Sequence, residues 1–182
     1  MESLNQFVNS LAPKLSHWRR DFHHYAESGW VEFRTATLVA EELQQLGYSL
    51  ALGREVVNES SRMGLPDELT LQREFERARQ QGALAQWIAV FEGGFTGIVA
   101  TLDTGRPGPE VLIMGELDSL IVPNHPECDP KTGYVHACGH NAQCAALLGI
   151  AAALKEPGAM DKMCGKIRLC AVPAEELIEI GY

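Results

Sequence analysis

Two short apolar runs with an alanine-rich segment between them constrain this chain most. Val111-Leu112-Ile113-Met114 and Ile167-Arg168-Leu169-Cys170-Ala171-Val172 read as strands, and residues 141–155, dense in Ala and Leu, read as a helix long enough for a crossover. Strand, helix, strand in that order predicts an α/β fold, a mostly parallel sheet flanked by helices. The near-continuous apolar character of both runs predicts strands covered on both faces. Ligands of such a sheet gather at the carboxyl ends of its strands, so the residues after Met114 and Val172 are where chemistry is expected.

Ahead of that unit the chain is helical. Leu4, Phe7, Val8, Leu11, Leu15, Trp18 and Phe22 recur at steps of three and four, one face of an amphipathic helix, with Pro13 placed to kink it. A second helix is predicted over 33–46, with Leu38, Val39, Leu43 and Leu46 inward and Gly47 as its left-handed stop. Pro66-Asp67-Glu68 opens a third, more solvated helix that runs on to Trp87. Gly93-Gly94 breaks it, and a strand is predicted over 96–102, ending in the turn 103–108.

The 182 residues are enough for one core, and 46% hydrophobic content excludes a disordered chain. A formal net charge of -9, with no basic stripe, argues against nucleic acid as a partner. No apolar run approaches the ~20 residues of a membrane span, and the start of the chain lacks the basic and apolar regions of a secretory signal, so the expectation is a cytoplasmic protein. Five cysteines, Cys128, Cys138, Cys144, Cys164 and Cys170, with no C-x-x-C pair, favour reduced thiols.

Three segments fall where the sheet would collect its chemistry. Gly115-Glu116-Leu117-Asp118 follows the first strand, and alternation puts Glu116 and Asp118 on one side of the backbone, costly for two acids unless a cation or proton intervenes. The bland alternative is a solvated strand end. His136-Ala137-Cys138-Gly139-His140-Asn141 leads into the crossover helix, and a thiolate and an imidazole two residues apart can reach one borderline-soft cation. Against this, His140 and Asn141 could be capping groups and Cys138 a small packing residue. Pro173-Ala174-Glu175-Glu176 follows the second strand, where one glutamate can ligate while the other handles protons. A catalytic thiol at Cys138 with His136 or His140 as its base is the rival, but it gives Glu116, Asp118, Glu175 and Glu176 no task.

These segments, in this order, resemble the metallo-aminoacylase and carboxypeptidase family, in particular its amidohydrolase branch. Trp18-Arg19-Arg20-Asp21-Phe22-His23-His24-Tyr25-Ala26-Glu27 is similar to that branch's arginine-pair signature, with Ala26 where a proline is usual. The resemblance implies an amide hydrolase acting on small N-acyl or N-aroyl amino acids through two divalent metal ions, zinc or manganese. It implies that Cys138 bridges the metals, that His140 and Glu176 each bind one, that Glu175 is the general base, and that Asp118 orients a ligand. Glu116 stands where other branches carry a histidine ligand, which leaves its role open, and Asn141 replaces an aspartate.

The resemblance further implies that the family's remaining histidine ligands and its lid or dimerisation domain lie beyond residue 182, making 1–182 the N-terminal part of the catalytic domain. An incomplete sheet would leave an open edge and an apolar face to cover, by homo- or hetero-association with a paralogous chain. Residues up to 109 are similar to one member of the branch and those from 110 to another, as in a divergent relative or a chimera. A catalytically silent module for binding or assembly is the alternative function. The insert over 53–86 is expected to hold a surface helix, with a partner surface as its candidate role.

Overall fold

The computed structural model describes residues 2–179. Helix α1 (Glu2–His24) and helix α2 (Phe33–Gln45) open the chain. Pro13 lies inside an α1 that continues past it. Val8 at the start of this helix is exposed, while Trp18 and Phe22 are buried, so α1 meets the core only through its second half; the side chain of Leu4 lies outside the described residues. Gly47, in the left-handed region at φ +76°, follows α2 as its sequence predicts.

Strand β1 (Ser49–Leu52) leads into the insert, which holds α3 (Glu68–Gln80) and the short α4 (Ala85–Ile88) in place of one long helix. Asp67 caps α3 by accepting from Thr70 N, and Gly82, at φ +92°, separates the two helices. Leu71, Glu74 and Ala78 of α3 are buried. Arg77 pairs with Glu74 and lies over the Tyr134 ring, so the insert is not only a surface helix: it packs against the segment that leads to Cys138.

Strands β2 (Ile98–Asp103) and β3 (Glu110–Glu116) follow, then a small hairpin of β4 (Leu120–Ile121) and β5 (Tyr134–Val135). Helix α5 (His140–Leu154), β6 (Lys166–Val172) and α6 (Glu175–Glu179) complete the described fold. The main sheet has the order β1-β2-β6-β3, which places the chain in the α/β class. The mostly parallel sheet expected from the sequence is corrected: β3 and β6 are parallel, as a crossover through α5 requires, but β1–β2 and β2–β6 are antiparallel. Strand direction depends on partners distant in sequence. Here β6 inserts between β2 and β3, and the turn 104–109 passes over its start through Gly165 N to Arg106 O (2.8 Å) and Lys166 N to Pro109 O (3.0 Å).

Gly165 is required at that crossing. It sits at φ +81°, and a Cβ there would lie 1.8 Å from Pro109 O, a backbone atom that cannot swing away. Gly165→Ala is expected to cost about 3 kcal/mol or more, read as a fall in the denaturant midpoint.

Helices α1, α2 and α5 cover one face of the sheet, over Ile98, Ala100, Leu169 and Ala171. The other face is open, and the expectation that β3 is buried on both sides is corrected: Leu112 is 54% and Met114 62% exposed. Apolar residues on both sides of an edge strand imitate a central one in sequence. Among the described residues no helix is long and apolar enough to cross a membrane.

Candidate metal centre

The parallel pair β3 and β6 ends in register, Glu116 opposite Val172, and Leu117 N continues the pairing to Val172 O at 2.9 Å. Their carboxyl ends therefore release Glu116-Leu117-Asp118 and Pro173-Ala174-Glu175-Glu176 side by side. Gly139, at φ +95°, turns the third segment into α5, so His140 begins that helix at the same edge. The three segments singled out in the sequence meet in one place.

His140 stands at the centre, 5% exposed. Its Nδ1 lies 2.9 Å from the main-chain oxygen of Asp118, where an N–H donates, and this directs Nε2 toward the acids. Nε2 is 2.8 Å from Glu116 Oε2, 3.7 Å from Glu175 Oε2 and 3.8 Å from Glu176 Oε1. The liganding atoms of Cys138, His140 and Glu176 lie within 4.8 Å of one another, and so do those of Glu116, His140 and Glu175. Asp118, fully buried, accepts from Glu176 N at 3.0 Å through Oδ2, while its Oδ1 lies 3.4 Å from His140 Nδ1.

Three carboxylates and a thiol around one imidazole call for a cation. Burial alone would lower the His140 pKa, but hydrogen bonds with Asp118 and Cys138 outweigh it and hold the imidazole at about 11. Nε2–H then donates to Glu116, and this proton is what a metal ion would replace. Ligands of a tetrahedral ion at ~2.0–2.3 Å sit roughly 3.3–3.8 Å apart, and the separations from Nε2 to Glu175 and Glu176 are of that size. By this spacing and by its chemistry, the donor set fits a divalent ion.

Asn141 is turned away from this cluster: its Nδ2 donates to Arg19 O at 3.3 Å and lies 3.4 Å from His23 Nδ1, tying α5 to α1. Cys144 is buried and donates to Glu116 O. His136 is also buried, with both ring nitrogens unpartnered among the described residues; burial, then the charges of His140 and His23, drives its pKa down to about 3.

Sequence reasoning missed two buried acids beside the site. Glu27 accepts from Arg34 N (2.9 Å) and Thr35 N (2.8 Å), capping α2 from a distance. Glu32 is equally buried, and burial followed by the neighbouring Asp118 charge raises it from 4.5 to about 8. Between those pH values the folded chain holds a proton that the unfolded chain has released, so stability is lost as pH rises through this window. In metal-free protein, Glu32→Gln is expected to gain in Tm relative to wild type from pH 5 to pH 8, checked by thermal melts across that range.

The family model described as Peptidase family M20/M25/M40 matches residues 112–181, which contain all three site segments. The chain is 69% identical to one of the subunits of the p-aminobenzoyl-glutamate hydrolase of Escherichia coli over 97% of its own length, and it spans 42% of that relative. Among solved structures, an aminobenzoyl-glutamate utilization protein from Klebsiella pneumoniae superposes with a TM-score of 0.82 at 46% identity, covering 98% of this chain and 42% of that one. A dinuclear metal-binding M20 peptidase of Bacillus subtilis shares the fold alone, with a TM-score of 0.59 at 22% identity over 94% of this chain and 36% of that one. Alongside that likeness over nearly its whole length, the chain carries the pattern of peptidase family M20/M25/M40 across the residues that contain its site segments.

Proposed function

We propose that this chain carries part of the active centre of a metal-dependent amidohydrolase that cleaves the amide bond of N-acyl or N-aroyl amino acids. The observation that carries the reading is the convergence of Cys138, Glu116, Glu175 and Glu176 on His140 at the carboxyl ends of β3 and β6. Cys138, His140 and Glu176 would hold the ions, and Glu116 lies close enough to His140 to join them. Two divalent ions, zinc or manganese, would polarise the amide carbonyl and acidify the attacking water. Glu175 would act as the general base, taking a proton from the attacking water and returning it to the leaving amine. Asp118 holds the His140 ring by its main-chain oxygen and the Glu176 backbone by its carboxylate. The thiolate favours zinc, while the carboxylates tolerate manganese.

p-Aminobenzoyl-glutamate is the first substrate to test, on the strength of the relative that is 69% identical. Because that relative is named as one chain of a multi-chain hydrolase, assembly with a second, paralogous chain is supported, and a surface without a basic stripe supports a small molecule over nucleic acid. The reduced thiols fit a cytoplasmic setting. Release of p-aminobenzoate, followed with zinc or manganese added and with chelator, tests the reading. Metal-dependent release supports it. Turnover that survives chelator and stops in Cys138→Ser would replace it with the thiol mechanism, and stoichiometric metal without turnover of any N-acyl amino acid would make the chain a binding or assembly module.

A further inference from the structure

We infer that Glu32 is a positioning residue that sets the geometry of the Glu175-Glu176 turn, an inference that rests on the metal centre proposed above. Glu32 is fully buried at the start of α2, far in sequence from that turn. Its Oε1 accepts from Ala174 N at 2.7 Å and its Oε2 from Thr96 Oγ1 at 2.7 Å. Ala174, itself fully buried, takes φ +54°, a left-handed conformation that a side chain disfavours. Such a conformation persists only where surrounding contacts impose it, at a cost of about 1–3 kcal/mol. The hydrogen bond from Ala174 N to Glu32 is one such contact, and it acts one residue before Glu175.

A second clamp lies two residues on, where Asp118 Oδ2 receives Glu176 N. Glu32 and Asp118 thus grip the backbone on either side of Glu175, from α2 and from the end of β3. Thr96, also fully buried, is the residue that orients Glu32. With the Glu32 clamp gone, Ala174 is free to relax toward negative φ, which rotates the first turn of α6 and moves Glu175 and Glu176 away from His140.

Cobalt(II) titration of the full chain, read by thiolate-to-cobalt charge-transfer absorbance, tests this without relying on turnover. Glu32→Gln retains an acceptor for Ala174 N–H and is expected to bind within about 3-fold of wild type; Glu32→Ala is expected to bind at least about 10-fold more weakly with an altered spectrum, in the range seen when groups that orient metal ligands are removed. Val39→Ala, a core change elsewhere in α2, controls for stability: it should lower Tm and leave affinity and spectrum unchanged. Wild-type affinity in Glu32→Ala, or an equal loss in Val39→Ala, overturns the inference. Should Glu32→Ala not fold, Thr96→Val takes its place, with a loss of several-fold expected and wild-type binding overturning the role. Absence of cobalt binding in the wild type would overturn the metal centre itself, and this inference with it.

Discussion

Glu175→Gln lowers metal-dependent turnover of an N-acyl amino acid by about 10²–10⁴-fold, the usual contribution of a positioned proton-transfer group, and leaves metal content unchanged. Amide hydrolysis needs a group that accepts a proton from water and delivers it to nitrogen, and a carboxylate near an acidified water is suited to both. Glu175 Oε2 lies 3.7 Å from His140 Nε2, next to Glu176 rather than replacing it. The substitution keeps size and shape, so it separates proton transfer from binding: the loss should fall on kcat with little change in KM. Parallel kinetics and metal analysis check this. If metal content falls by about one equivalent together with activity, Glu175 is a ligand and the general base lies elsewhere.

The sequence exposes some parts of this molecule and hides others for definable reasons. Helices α1, α2 and α5 carry apolar spacing or helix-forming composition over several turns, and β3 and β6 carry apolar runs, so each is legible locally. Strand β1, only Ser49–Leu52, is too short to show a period. The antiparallel β2–β6 pairing joins Ile98 to Ala171, and no local pattern carries such a pairing.

At the site, Cys138, His140, Glu175 and Glu176 are legible because they sit in short polar segments just past apolar strands or before an apolar helix. Glu116 stands in such a segment too, yet its 2.8 Å approach to His140 depends on how α5 docks. Glu32 is the opposite case. In the sequence it is one more acid at the start of a helix, where acids are common on the surface. Only the fold shows that it is buried against Thr96 and Ala174.

The cluster around His140 also predicts how metal and protons compete. In the absence of metal His140 keeps its proton up to about pH 11, so an ion that binds at neutral pH must displace it. Uptake should strengthen as pH rises and should release protons into the buffer.

Metal content by mass spectrometry, on protein purified without added metal and again after equilibration with zinc or manganese, tests the central claim most directly when set beside a Cys138→Ser, Glu176→Gln double variant. The variant removes two donors of one group and keeps His140. Near-stoichiometric zinc or manganese in the wild type, falling at least about 100-fold in affinity in the variant, is the predicted result. A wild type that takes up no metal after equilibration, or a variant that binds as tightly as the wild type, would contradict it.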